Sequence, residues 1–381
     1  MVAAGRLWLL VPVLALAAVV AFLLLGRPLS ELTASAPPVE ELAIESTRLT
    51  PGEITLAVRA DGSEPLTVAQ VQVDGAWRSF TVEPSTTIGR LGSALIRIPY
   101  PWIEGESHHI VILMATGVTF GHTIDVAVAA PDWRAAMSAE LLLIGVLLGV
   151  VPVAVGLMFY PVLRTLGAAG LRFILALTMG MLLFLFIDTL GEGLERGQEA
   201  LGRLRGTSAV WVVAALTALV LLAFGRRHGS PKGIHLAFFI ALGIGLHNLG
   251  EGLAVGAAIA TGAAALATFL VIGFVIHNVT EGVGIAAPMA TGEGPGYGVF
   301  AGLAALAGLP AIFGVVLGTT AVSPYWAALA FGVGAGAIAQ VIIEVALFTA
   351  RRDGAQAFVG PAGAGGVVVG LVIMYATALL V

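Results

Sequence analysis

Cysteine is missing from all 381 residues. The chain therefore has no disulfide, no thiolate metal site and no cysteine nucleophile, and its redox compartment stays undetermined. Charge is scarce as well. Only 11% of residues are charged and 58% are hydrophobic, whereas soluble domains carry about 25% charged residues. Mean hydropathy is +1.00, so most of the chain must face lipid or other apolar helices. The 18 basic residues sit mostly in short loops and the net charge is −5, which lacks the basic stripe of a nucleic-acid binder. No phosphate-cradling loop is present either, which argues against ATP as an energy source within this chain.

Hydrophobic runs organise what is there. Leu7 to Leu25 is an unbroken apolar run behind Arg6. It exceeds the usual signal-peptide core of about 7–15 residues and approaches the ~20 residues that span a bilayer. The small-residue pattern Ala34-Ser35-Ala36 is followed by Pro37, which should hinder cleavage. Residues 1–26 are expected to be an uncleaved transmembrane anchor.

Charge is denser in residues 27–133, which hold 19 of the charged residues. Glu53 to Arg59 alternates apolar with polar residues, as a half-buried strand does. Val71–Val73, Ala94–Ile98, Ile110–Leu113 and Ile124–Val128 continue the series, separated by the turn signals Asp61-Gly62, Asp74-Gly75 and Glu104-Gly105. Six to eight such strands predict an all-β, immunoglobulin-like or fibronectin-like sandwich. His108, His109 and His122 lie in it and read as surface strand or loop histidines, with metal capture as the alternative.

Residues 134–381 are almost entirely membrane sequence. Eight spans are expected, near 137–160, 169–190, 208–224, 234–260, 264–290, 297–319, 323–350 and 358–381. Cytoplasmic loops are enriched in Lys and Arg. Arg164, Arg172, Arg226, Arg227, Lys232, Arg351 and Arg352 fall on one side, and Arg196, Arg203 and Arg205 on the other. That balance places the sandwich and the C-terminus outside a multi-pass protein of the plasma membrane, with the lipid bilayer as its environment. A homodimer is left open. The small-residue patterns, such as Gly332, Gly334 and Gly336, are expected to permit close helix contact. Met179 and Met181 are expected to pack.

Two of the spans repeat one cluster. His247-Asn248-Leu249-Gly250-Glu251-Gly252 and His277-Asn278-Val279-Thr280-Glu281-Gly282 begin sixteen-residue stretches with eight identities. Residues i and i+4 share a helix face, so His247 and Glu251 point the same way, as do His277 and Glu281. The helices must run antiparallel about a turn near Thr261–Ala264. Residues at equal depth are then equidistant from position 264, which sets each His level with the other helix's Glu, in two rungs. Counted from residue 261, Glu251 lies about 15 Å deep and His247 about 21 Å, at 1.5 Å per residue. In a core ~30 Å thick that is mid-membrane, where transporters place substrate sites.

An acidic side chain there costs about 2.5–3.5 kcal/mol, unless a dication turns it into a ligand. A network of protonated glutamates is the bland alternative. Imidazole, carboxylate and amide donors suit borderline first-row ions such as Zn²⁺, Fe²⁺, Mn²⁺ and Co²⁺, and Cd²⁺ as a mimic. The metal candidates are thus His247, Asn248, Glu251, His277, Asn278 and Glu281. Asp188, Gln340 and Glu344 are candidate pathway residues, Asp188 toward the outer entrance and the other two toward the cytoplasmic exit.

At these helices the chain resembles the ZIP (Zrt/Irt-like protein) family of metal-ion transporters, whose fourth and fifth spans typically read His-Asn-x-Pro-Glu-Gly and His-Glu-x-Pro-Glu-Gly. The resemblance covers roughly residues 134–381. It implies an eight-helix bundle of ZIP type, with His247, Asn248, Glu251, His277 and Glu281 as ligands and the glutamates bridging two ions. Asn278 stands where the family often has an acid, Leu309 where some members carry a ligand glutamate, and Gly250 and Thr280 where the motif has proline. The first two changes imply one strong site and at most a weak second. The expected function is ATP-independent transport of a divalent metal, Zn²⁺ foremost, toward the cytoplasm. No enzymatic activity and no cofactor are expected beyond the transported ion. An intramembrane metal-dependent hydrolase and a metal sensor are the alternatives; the chain lacks the His-Glu-x-x-His of a metalloprotease. Because ligands bind metal deprotonated, uptake should weaken in acid.

Overall fold

Alternation of apolar and polar residues builds the N-terminal domain. The computed structural model describes residues 39–124, 126–129, 138–200, 205–227, 229–260, 264–290, 294–320, 323–354 and 356–379, with positions 14, 18, 21 and 22. Apart from those four positions and Ala264, the expected anchor and the turn at 261–264 lie outside the described residues. Nine strands are described: β1 (Leu42–Thr50), β2 (Glu53–Ala60), β3 (Leu66–Val73), β4 (Ala76–Arg78), β5 (Thr81–Glu83), β6 (Thr87–Ile88), β7 (Ser93–Pro99), β8 (His108–Met114) and β9 (Thr119–Ile124). Along β2, Ile54, Leu56, Val58 and Ala60 point inward and their neighbours outward. They share one apolar cluster with Ile96, Ile98, Val71, Val73, Ile110 and Ile112. Burying each such Val, Leu or Ile stabilises by about 1.5–3 kcal/mol.

The strands form two antiparallel sheets, ordered β1-β2-β7-β5 and β4-β3-β8-β9, with β6 added on β3. With an extra strand at one edge, this is the layout of an immunoglobulin constant-type sandwich. Asp74 and Gly75 both have positive φ and close a two-residue hairpin between β3 and β4, as type I′ turns do. The strand expected over 124–128 is corrected: β9 ends at Ile124, because its partner β8 begins at His108 opposite it. Strand β1 escaped the alternation rule. Its register with β2 shifts between Ile44 and Ser46, so Leu42 and Leu49 are both buried although they have opposite parity.

Each expected span is present as a helix long and apolar enough to cross a bilayer, and all start within three residues of the expected position. This is the construction of a multi-pass membrane protein. The first span is α1 (Ala139–Gly145), a π-helical turn (Val146–Val150), α2 (Val151–Leu157) and α3 (Tyr160–Thr165). Pro152 opens α2; it has no N–H to continue the α-helical ladder, and the widened turn precedes it. The others are α4 (Ala168–Glu199), α5 (Gly206–Gly225), α6 (Gly233–Ala260), α7 (Ala264–Ala286), α8 (Tyr297–Gly318), α9 (Pro324–Asp353) and α10 (Pro361–Ala378). Helix α4 outlasts its apolar stretch, and an Arg196–Glu192 pair at 3.0 Å supports its last turns.

Glycines let these helices meet backbone to backbone. A Cβ at Gly252 would lie 2.2 Å from the Ala311 carbonyl, and one at Gly314 would lie 2.3 Å from that of Leu249. Helices α6 and α8 are thereby held in contact. Gly336 packs in the same way on Ala214 of α5, and Gly334 faces the His247 backbone. Met179 and Met181 are buried in the main apolar cluster, the packing role expected of them.

Candidate metal centre

All six candidate ligands are at most 4% exposed. Helical spacing sets His247 and Glu251 on one face of α6, and His247 Nε2 lies 3.1 Å from Glu251 Oε1. From α7, His277 Nε2 reaches the same oxygen at 2.5 Å. The ligand atoms of His247, Glu251 and His277 all lie within 4.8 Å of one another. Tetrahedral zinc bound at about 2.0–2.2 Å sets its ligands roughly 3.3 Å apart, so small side-chain movements would let the three converge on one ion.

One of the two expected rungs is formed, His277 with Glu251. The other is not: His247 turns along its own helix to Glu251, and no ion pair joins it to Glu281 among the described residues. On the other side of the ring, the hydroxyl of Thr189 on α4 lies 3.1 Å from His247 Nδ1. Glu251 is therefore the hub of the centre.

Asn248 and Asn278 are oriented from outside it. Asn248 donates its Nδ2 to the Ala307 carbonyl at 3.0 Å, and Asn278 donates to the Leu148 carbonyl at 3.0 Å and to Glu251 Oε2 at 3.1 Å. A carbonyl accepts only from the amide nitrogen, so each side-chain oxygen is turned away from its backbone partner. Neither Oδ1, and neither carboxylate oxygen of Glu281, has a hydrogen-bond partner. Asn248 lies near enough to Glu281 for its amide to act on that carboxyl, but no hydrogen bond of acceptable geometry joins them. Four buried acceptor oxygens are thus left over on the helices that carry the three converging ligands, and Glu281 stands outside that converging group. Buried acceptors are normally satisfied, and leaving one unmade costs about 1–3 kcal/mol.

Of the pathway candidates, Asp188 is exposed and lies within electrostatic range of His247, His277 and Glu251. Gln340 is fully buried, with neither amide atom partnered. Glu344 is buried and held by Arg226 at the end of α5, at 2.8 Å. Leu309 is 45% exposed, so a side chain at that position faces away from the centre. Thr280 bonds back to the His277 carbonyl at 2.5 Å, as a hydroxyl standing in for proline can. A Cβ at Gly250 would lie 3.2 Å from the Phe331 ring, so the missing side chain accommodates that ring.

In the sandwich, the surface reading suits His109 but not His108. His108 is buried, with Nδ1 at 2.8 Å from Asp74 Oδ2, because the hairpin turn folds Asp74 back over it. Sequence reasoning also missed Thr189 and Arg226. Thr189 is signalled only by standing beside Asp188 in an apolar span, and Arg226 only by ending α5. No protein-family model matches the chain, and no curated protein matches it at a significant level.

Proposed function

We propose that this protein carries a divalent transition-metal ion across a membrane without ATP, as a ZIP-like transporter with Zn²⁺ foremost and Fe²⁺, Mn²⁺, Co²⁺ and Cd²⁺ as related substrates. One observation carries the reading: His247, Glu251 and His277 converge, and the helices that hold them also carry the unpartnered buried oxygens of Asn248, Asn278 and Glu281. Every leftover group is an acceptor, and a cation is what such a set binds. Two imidazoles with carboxylate and amide oxygens suit a borderline first-row ion. Mg²⁺, which keeps an oxygen shell with several waters, suits it poorly.

The residues divide the work. Glu251 supplies negative charge to the ion and accepts from both imidazoles in the ion's absence, so the centre is held together in either condition. A metal-bound His247 must present a bare Nε2, which moves its proton to Nδ1. Thr189 serves both forms, because its hydroxyl donates to a bare Nδ1 and accepts from a protonated one. Glu281 and the two asparagine oxygens give the ion further contacts at nearly the same depth. The resemblance and the loop charges set the direction, from the sandwich side toward the cytoplasm.

Reconstitution tests the proposal. Wild-type proteoliposomes should take up Zn²⁺ or Cd²⁺ down its gradient, and folded Glu251→Ala should lose that flux. Undiminished flux from a folded Glu251→Ala would end the proposal. Bound metal in both proteins with no flux in either would favour the sensor.

A further inference from the structure

A cavity of about 570 Å³ lies between the sandwich and the helical bundle. Glu45, Thr47 and His122 line its sandwich wall, and Arg196, Ala254, Ala257 and Phe331 line its helical wall. At about 30 Å³ per water molecule it has room for on the order of ten to twenty waters.

Two features shape the sandwich wall of this space, and a third sets it beside the metal centre. Its sandwich wall is made by β1 and β9, an edge strand from each sheet. Edges are normally covered or blunted; here they turn toward the helices and are tied to each other by Thr47 Oγ1 and His122 Nε2 at 2.8 Å. The register shift in β1 falls at Glu45, which lines the cavity with its carboxylate paired to Arg59 at 2.6 Å. The helical wall lies within a turn of the ligands along α6. Ala254 is one turn along α6 from Glu251, and the Phe331 ring packs on Gly250, the residue before it.

We infer that this cavity is the antechamber through which the hydrated cation reaches His247, Glu251 and His277, and that the sandwich is its roof. This rests on the transport reading above and adds the route. The sandwich is then part of the permeation path, and an ion must pass between Ser46 on one wall and Ala254 on the other before meeting a ligand.

The cysteine-free chain makes the test specific, because a thiol introduced by substitution is the only one present. Ser46→Cys, Ala254→Cys and a control on the far sheet edge, Thr81→Cys, are reconstituted in full-length form. Each is treated from the sandwich side with a membrane-impermeant trimethylammonium methanethiosulfonate. The added group places bulk and positive charge at the labelled position. Mass spectrometry follows the labelling. Flux should fall several-fold on labelling of Ser46→Cys and of Ala254→Cys, each against its own unlabelled sample, and should persist after labelling of Thr81→Cys. Fully labelled Ser46→Cys with unchanged flux, a failure of either cavity thiol to react, or equal loss from Thr81→Cys would each overturn the inference. Flux that is abolished by Glu251→Ala yet indifferent to Ser46 labelling would sink the antechamber alone. Flux indifferent to Glu251→Ala would sink the transport reading.

Discussion

Asn248 and Asn278 make equivalent bonds, each donating its side-chain amide at 3.0 Å to the backbone carbonyl of a neighbouring span, Ala307 for one and Leu148 for the other. The equivalence extends along both helix pairs. Gly252 abuts the carbonyl of Ala311, and Gly282, its counterpart in the repeat, abuts that of Val153. Gly314 abuts the Leu249 carbonyl, and Gly156 abuts that of Val279. Helices α6 and α8 thus repeat the packing of α7 on the first span. The count differs by one residue, four from Ala307 to Ala311 and five from Leu148 to Val153. The π-helical turn at Val146–Val150 lies where that extra residue must be absorbed. Substrate sites of transporters commonly lie between such repeated units, and the candidate centre lies between these.

Paired glycines should therefore fail in pairs. Gly282→Val and Gly314→Val each drive a side chain into a backbone carbonyl, where no rotamer gives relief. Overpacking typically costs about 1–3 kcal/mol and more where backbone must move. Both variants should unfold in detergent at clearly lower temperature than the parent. A parental midpoint for either would show that the helices do not meet as closely as described.

Asn278→Asp introduces an acid at the position where the ZIP pattern often has one. The change removes the donor to the Leu148 carbonyl and sets a second negative charge against Glu251. Without added metal the variant should be less stable by about 1–3 kcal/mol. Added Zn²⁺ should raise its unfolding midpoint by more than it raises the parent's, since a ligand that binds only the folded state stabilises it. Equal Zn²⁺-induced shifts would refute a metal role for this position.

In the proposed transporter, Thr189 would act on metal through His247, whose Nδ1 lies 3.1 Å from its hydroxyl. Thr189→Val keeps the shape and removes the hydroxyl, and loss of such an outer partner typically lowers metal affinity by roughly 10–100-fold. Thr189→Ser should retain affinity. Titration of Cd²⁺ into purified protein measures both, and tight binding by the valine variant would free His247 from this support.

Asp74 links the sandwich to pH. Burial works to raise its pKa, but the His109 backbone N–H, His108 and Tyr100 bonds together outweigh it and hold the carboxyl below its ordinary 3.8. A depressed folded value means that the contribution is complete above the unfolded pKa and lost as pH falls through the folded one. Acidification below about 4 should therefore loosen the β3–β4 hairpin in the parent more than in Asp74→Asn. Tryptophan emission during thermal unfolding at pH 5 and pH 3 would compare them, and identical acid sensitivity would remove Asp74 from the account.

Much of this was legible in the residues because the signals are local. An apolar run long enough for the bilayer announces its own span, so the span starts agree closely. The i,i+4 rule alone pairs His247 with Glu251. Alternation found β2 and β7, but it failed at β1, where a bulge reverses the parity, and beyond Ile124, where no partner strand remains. Thr189, Arg226 and the carbonyls of Ala307 and Leu148 were not legible. Each reaches its partner across a gap of dozens of residues or more in the chain, and a backbone carbonyl carries no side-chain signature.

The amino-acid order by itself determined eight apolar spans, a β-rich domain before them and a doubled His–Glu motif in consecutive helices, since periodicity and hydrophobic length act within a single element. Only the tertiary structure decided that both imidazoles share Glu251, that both asparagines turn their oxygens away from their backbone partners, and that Leu309 faces away. Those choices depend on which helices touch, and the glycine contacts that bring backbones together set that across distant parts of the chain.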